Sequence, residues 1–221
     1  LHNFIIYGGT FDPIHNGHIN TAINIQNHFN FDRFVFLPCK VPVLKHRALA
    51  TAKQRITMIE LALSEQDKNR HFTIDLSEIN RDSPSYMVNT LENFRQQFGN
   101  NIAIVLIMGA DTFNQLPQWH AWQQILSLTN LLVIKRPGKN YDREAPEPVK
   151  ELLSHYETHE DKAISQQPHG LIYRYNAGNF NVSSSWIRQQ IRIHNEQALK
   201  NYLSDKVLKY IKQNNLYLET H

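Results

Sequence analysis

Apolar and β-branched runs alternate with helical patterns along this chain, and that alternation restricts its fold more than any other feature. Asn3 to Tyr7 reads as a short buried strand that breaks at Gly8 and Gly9, and a helical pattern follows from about Gly17 to Phe29. Arg33 to Leu37, ending at Pro38, is a second strand and Phe72 to Leu76 a third. Between them, Thr51 to Leu63 places Ile56, Ile59, Leu61 and Leu63 on or near one helical face. Ser85 to Phe98 has the same spacing through Met87, Leu91 and Phe94. Ile102 to Met108 is the most apolar run and stops at Gly109, as expected of a central parallel strand covered on both faces. Leu131 to Ile134, after a helical stretch around Trp122 to Leu128, and Leu171 to Tyr175 complete the strands. The pattern predicts an α/β fold, a doubly wound parallel sheet. From Ser183 onward the chain reads as a small helical C-terminal part, with Leu203, Val207, Leu208 and Ile211 on one face.

A chain of 221 residues, 41% apolar and 19% charged, has the composition of a folded domain and suffices for one sizeable core. One domain over 1–221 is expected. Residues 137–169, rich in Pro, Glu, Lys, His and Gln, read as a variable surface excursion with a helix at Val149 to Tyr156, and 183–221 as C-terminal helices. A net charge of +3 without a Lys/Arg run argues against a nucleic-acid surface and suits a small anionic substrate. Cys39 is the single cysteine, which excludes an internal disulfide and a cysteine-rich zinc cluster and indicates a reducing compartment. Its own simplest role is that of a small hydrophobe after a strand. Leu1 to Tyr7 lacks the basic start of a signal peptide, and no apolar run approaches the roughly 20 residues that span a bilayer. A cytoplasmic protein without a membrane partner is expected.

In an open parallel sheet, ligands sit beyond the carboxyl ends of the strands, where a loop meets the next helix. Gly8-Gly9-Thr10-Phe11-Asp12-Pro13-Ile14-His15-Asn16-Gly17-His18 occupies that place. Paired glycines let the backbone approach a ligand, and free N–H groups at the helix start favour an anion. His15 and His18 can aim ring donors at one phosphate chain; the plain alternative is that they cap or pack the helix start. They lack the further ligands of a closed zinc site, so no protein metal site is expected. Val182-Ser183-Ser184-Ser185-Trp186-Ile187-Arg188 also opens a helix after a strand. Its hydroxyls and N–H groups form an anion site to which Arg188 adds a planar guanidinium, whereas an ordinary N-cap is the plain reading of the serines alone. Two such clusters in one short α/β chain reinforce each other.

The stretch GGTFDPIHNGH, Gly8 to His18, and VSSSWIR, Val182 to Arg188, resemble the two signatures of the nicotinate-nucleotide adenylyltransferases of the HxGH nucleotidyltransferase superfamily. Val182 and Ser185 stand where that family usually has Ile and Thr. Pro38 to Lys45, Ser83 to Leu91 and Gly109 to Trp119 extend the resemblance over nearly the whole chain. It implies a Rossmann-like sheet and adenylyl transfer from ATP to nicotinate mononucleotide in NAD biosynthesis. It also implies residue roles. His15 and His18 would hold the ATP phosphates, Ser184, Ser185 and Arg188 the departing pyrophosphate, and Asp111, after Gly109, a ribose of the adenosine half. Gly8, Gly9, Thr10 and Phe11 would line the gap between the substrates, Thr10 touching both. Lys45 would meet the mononucleotide phosphate, and Tyr86, the N–H of Met87 and Trp119 the nicotinate ring and carboxylate. A flat ring bearing a carboxylate wants an aromatic face and N–H donors, although core packing is the ordinary role of such aromatics. The family usually shows Pro-His-Lys where this chain has Val43-Leu44-Lys45, and Thr where it has Met87.

The reaction implied is in-line attack of the mononucleotide phosphate on the α-phosphorus of ATP. A phosphate monoester has its second pKa at about 6, so it is mostly dianionic at neutral pH and needs no general base. Mg²⁺ is expected to arrive on the ATP phosphates and not in an all-protein cage. The rivals are relatives that adenylate nicotinamide mononucleotide or phosphopantetheine, a class I aminoacyl-tRNA synthetase, and a non-catalytic nucleotide sensor. The chain lacks a KMSKS-like segment, and it retains His15, His18 and Arg188. His120 and His194, outside the motifs, are expected to matter little. A homo-oligomer stays open.

Overall fold

The computed structural model describes residues 2–40, 48–82, 84–135 and 145–218. Its elements in chain order are β1 (Asn3–Gly9), α1 (Asn16–Phe29), β2 (Phe34–Pro38), α2 (Ala52–Leu63), β3 (Phe72–Ile74), α3 (Ser77–Asn80), α4 (Met87–Phe98), β4 (Ala103–Gly109) and α5 (Ala110–Asn114). They continue with α6 (Ile125–Leu128), β5 (Asn130–Ile134), α7 (Glu147–Tyr156), α8 (Ala163–Gln166), β6 (Ile172–Tyr175), α9 (Ser184–Arg192), α10 (Glu196–Leu199) and α11 (Asp205–Gln213). The six strands form one parallel sheet in the order β3-β2-β1-β4-β5-β6.

The strands read as continuous apolar runs because helices cover both faces. Alternate residues serve opposite layers. Ile5, Phe34, Phe36, Val105, Ile107 and Leu132 join α1, α2 and the helices after Ser183 in one core. Phe4, Ile6, Val35, Leu37, Ile104, Leu106, Met108, Leu131 and Val133 join α4, α5, α6 and α7 in the other. The C-terminal helices are part of the first layer: Ile187, Ile191, Leu199, Leu203, Val207, Leu208 and Ile211 are buried there.

Local chemistry sets several boundaries. Thr51 and Gln54 form a reciprocal capping box that starts α2, with Gln54 N–H on the Thr51 hydroxyl at 3.2 Å and Thr51 N–H on Gln54 Oε1 at 2.9 Å. The third strand stops at Ile74, short of the expected Leu76, because the Asp75 carboxylate accepts the Ser77 N–H at 2.8 Å and turns the chain into α3. The surface excursion expected over 137–169 does not extend to Ala145, Val149 and Ile164, which are buried. Asn130 ties that stretch to the sheet: its Nδ2 donates to the carbonyls of Ile164 at 3.0 Å and Gln167 at 2.6 Å, and its Oδ1 accepts the Leu171 N–H at 2.9 Å. Among the described residues, no helix is long and apolar enough to cross a membrane.

Candidate active site

The strand order reverses between β1 and β4, the position at which an open α/β sheet makes its ligand crevice. The two strands pair from Asn3–Ala103 to Ile6–Leu106. Beyond that, β1 keeps only β2, through Gly9–Pro38, and β4 keeps only β5, through Gly109–Ile134. The ends that part company carry Gly8, Gly9 and Gly109. A Cβ on Gly109 would meet nothing within 4 Å, so the crevice is open there. On Gly9 it would come within 2.9 Å of the Phe11 ring, and on Gly8 within 3.4 Å of Met87 Cε. Side-chain-free backbone at these positions keeps the crevice wide.

The loop from Thr10 to His15 is held from three directions. Phe11 takes a left-handed φ of 51° and buries its ring against Tyr7, His18 and Phe36. The buried Asp12 carboxylate accepts the N–H groups of Leu49 at 2.8 Å and Ala50 at 3.1 Å and the Tyr217 hydroxyl at 2.8 Å. Burial, with the Asp12 charge next, pushes the Tyr217 phenol far above its ordinary range, so it remains a donor. Arg55 on α2, only 1% exposed, donates to the carbonyls of Thr10 at 2.8 Å and Lys40 at 3.2 Å. The Cys39 thiol, pushed up by burial, donates to the Thr10 hydroxyl at 3.7 Å. It sits at the loop as a protonated thiol, more than the plain filler expected of it.

His15 is buried and stands at the N-cap of α1, and its ring stacks on His18 with centroids 3.8 Å apart. The His15 N–H donates to His18 Nδ1 at 3.3 Å, which assigns the proton of the neutral His18 ring to Nε2. The pair thus caps the helix start and stacks ring on ring. The second cluster folds onto the first. Ser184 donates to the Pro13 carbonyl at 2.9 Å, Arg188 to the Asp12 carbonyl at 2.7 Å and to the Ser185 hydroxyl at 3.0 Å. The helix cap is Ser183, whose hydroxyl accepts the Trp186 N–H at 3.2 Å, so the three serines have three different tasks. Gly17 makes this approach feasible: a Cβ there would lie 2.6 Å from Val182 Cγ1 and 2.9 Å from the His15 ring.

Across the crevice, Tyr86 and Met87 begin α4, whose first N–H groups receive no bond from the N-cap side chain. Trp119, half-buried after a short 3-10 turn, belongs to the same layer as Tyr86 and Met87. It is His120, however, whose ring lies on Tyr86, with centroids 4.4 Å apart and planes 28° from parallel. The indifference expected of His120 thus meets a ring contact with a residue singled out for the pyridine. Behind α4, the buried Glu78 accepts the Thr90 hydroxyl at 2.9 Å, and burial pushes its carboxyl up to about 7. Asp111 is exposed on α5, just past Gly109. Lys45, with Val43 and Leu44, lies outside the described residues, as does Ser83.

Residues 6–190 match the cytidylyltransferase-like family. This chain belongs to that family. A relative from Legionella pneumophila (strain Lens), named "Probable nicotinate-nucleotide adenylyltransferase", is 43% identical over 217 residues, covering 98% of this chain and all of its own. One of the same name from Marinomonas sp. (strain MWYL1) is 35% identical, covering 96% of this chain and 93% of its own. Among solved structures, the Plasmodium falciparum nicotinic acid mononucleotide adenylyltransferase complexed with NaAD superposes with a TM-score of 0.74 at 20% identity, covering 98% of each chain. At that identity the likeness carries the fold alone, a Rossmann-like α/β sheet.

Three residues of this family member escaped sequence reasoning: Asp12, Arg55 and Tyr217. Arg55 carried a usable signal, since it lies four residues before Ile59 on the buried stripe of α2, where a cation is out of place unless it is bonded. Tyr217 carried none. Among the described residues, no group of three or more His, Cys, Asp and Glu side chains is arranged to hold a metal ion, and Asp12 spends its oxygens on three donors.

Proposed function

We propose that this chain transfers the adenylyl group of ATP to nicotinate mononucleotide, giving nicotinate adenine dinucleotide and pyrophosphate on the route to NAD. The observation that carries this is the glycine-lined parting of β1 and β4, with the two anion-binding motifs locked together at its rim. The relatives' shared name and the dinucleotide in the Plasmodium falciparum complex support the choice of substrates.

In this reading the phosphate chain of ATP lies across the start of α1. The Nε2–H of His18, the ring of His15 and the guanidinium of Arg188 face its oxygens. Among the described residues, Arg188 commits two of its five donors to Asp12 and Ser185. Ser184 and Ser185 act chiefly through N–H groups at the start of α9, because the Ser184 hydroxyl proton is given to Pro13. Gly109 and Asp111 take the adenosine half, and Gly8, Gly9, Thr10 and Phe11 line the meeting point. Tyr86, Met87 N–H and Trp119 take the nicotinate, His120 backs Tyr86, and Lys45 takes the mononucleotide phosphate.

Mg²⁺ would travel on the ATP phosphates, since the protein donors here suit phosphate oxygens, and it would neutralise their charge. The residues do the positioning. Holding two reactants in attack geometry contributes roughly 7–11 kcal/mol, which is why donors that fix phosphates matter more here than any acid or base. The cytoplasm is the compartment this reading calls for, and a homo-oligomer is compatible with it. The test is pyrophosphate release from ATP with nicotinate mononucleotide, nicotinamide mononucleotide or phosphopantetheine as acceptor. Higher kcat/KM for either of the last two overturns the substrate.

A further inference from the structure

Beneath the first turn of α4 lies a polar cluster that the reaction, as assigned, does not use. Glu78 on α3 is 2% exposed, and its Oε1 accepts the hydroxyl of Thr90, itself 1% exposed, at 2.9 Å. Arg81 Nη1 donates to the same hydroxyl at 3.2 Å, so among the described residues Thr90 bridges the cation and the carboxylate. Thr90 N–H in turn reaches the Tyr86 carbonyl at 3.4 Å. Two buried polar atoms next to this chain, Arg81 Nη2 and Ser85 Oγ, have no hydrogen-bond partner among the described residues. Ser85 immediately precedes Tyr86. A buried carboxylate thus stands under the segment to which the proposed function assigns the pyridine substituent.

We propose that Glu78 is a specificity-determining residue: its ionisation beneath α4 disfavours a pyridine bearing a carboxylate relative to the amide, so that pH sets the acid-over-amide preference. This rests on the assignment of the nicotinate to Tyr86 and Met87. The groups facing Glu78 are Thr90 of α4, Arg81 after α3, Asp75 after β3 and, through its charge, Cys39 after β2. The Lys40 ammonium donates to the Arg81 carbonyl at 2.6 Å and lies 3.6 Å from Asp82. Burial raises Glu78 most; Thr90 and Arg81 favour the ionised form and Asp75 opposes it, leaving the carboxyl half-ionised at about 7. Arrival of a second anion at the α4 N-terminus favours proton uptake by Glu78, whereas a neutral amide does not. Two like charges separated by one helical turn in a partly screened site couple enough to change the preference about 3- to 10-fold.

Both mononucleotides carry the same phosphate, so its own titration cancels in the ratio of their kcat/KM values. That ratio, acid over amide, is measured with ATP and Mg²⁺ from about pH 6 to about pH 8.5. For the wild type it falls about 3- to 10-fold as pH rises through 7. Glu78→Gln holds it flat at the wild-type low-pH value. A flat wild-type ratio, which needs no variant, or a Glu78→Gln ratio that follows the wild-type curve, overturns the proposal. If amide turnover is too slow to read, calorimetry of nicotinate mononucleotide binding in two buffers of different ionisation enthalpy replaces it. The wild type then takes up more protons than Glu78→Gln near pH 7, and equal uptake overturns the proposal. Failure of the substrate assignment has a separate signature: the amide is preferred at every pH while the slope persists. No turnover with either mononucleotide overturns both.

Discussion

Gly17→Ala tests whether the two motifs, Gly8 to His18 and Val182 to Arg188, must touch. The new Cβ would lie 2.6 Å from Val182 Cγ1 and 2.9 and 3.0 Å from the His15 ring. Reaching ordinary contact at 3.4 Å requires roughly 0.8 Å of separation between the start of α1 and the strand-to-helix turn before α9. Overpacking of this kind costs about 1–3 kcal/mol, and alanine recovers about 1 kcal/mol of helix propensity over glycine. The net loss is about 0–2 kcal/mol, which at about 2–4 °C per kcal/mol leaves the protein folded at room temperature. Turnover is far more sensitive. A displacement near 1 Å costs on the order of 10²-fold, so 0.8 Å that draws Ser184 and Arg188 away from Pro13 and Asp12 should lower kcat by about 10- to 100-fold. The assay is pyrophosphate release at saturating ATP and mononucleotide, beside a thermal melt. Wild-type kcat in a folded Gly17→Ala protein would refute the reasoning, because it would mean that the contact between the motifs does not set the reacting geometry.

Further outcomes follow from the same structure. His18→Ala and Arg188→Ala should each lower kcat by about 10²-fold or more, since in the proposed reaction each removes a donor to the phosphate chain, whereas His194→Asn should leave it unchanged; wild-type turnover in His18→Ala refutes the role of the pair. His120→Ala should raise the KM for the mononucleotide a few-fold at constant KM for ATP by removing the ring stacked on Tyr86, and steady-state kinetics with each substrate varied will show it. Tyr217→Phe leaves Asp12 with two donors and should lower stability by about 1–2 kcal/mol in urea unfolding. Glu78 is raised from 4.5 to about 7, so the folded state binds its proton more tightly than the unfolded state and stability is lost as pH rises across that window. At 1.36 kcal/mol per pH unit the loss is about 3 kcal/mol, so Glu78→Gln should match wild type near pH 4.5 and exceed it increasingly up to about pH 7. A stability difference that does not vary with pH would contradict that ionisation.

Periodicity and turn chemistry are local properties, and what they govern was legible in the chain itself. The six strands, the helices at Thr51–Leu63 and Ser85–Phe98, and the glycine breaks at Gly8–Gly9 and Gly109 all follow from the spacing of apolar residues and from residues that tolerate special backbone. The two stretches proposed to bind anions could be located as loops running into helices, and both do open a helix. Boundaries shifted where a side chain bonded its own backbone, as Asp75 does, and the supposed excursion at 137–169 proved partly buried because Asn130 reaches across to it. The bracing of the loop from Thr10 to His15 belongs to tertiary structure alone. Asp12 meets Tyr217 across 205 residues of chain, Arg188 meets Asp12 across 176 and Ser184 meets Pro13 across 171. No local pattern encodes such pairs, because what brings them together is the strand order around β1 and β4 and the packing of the last helices on the α1 face. Adenylyl chemistry could be named from two short motifs, but the reason those motifs lie against each other is a set of contacts that exist only once the sheet has formed.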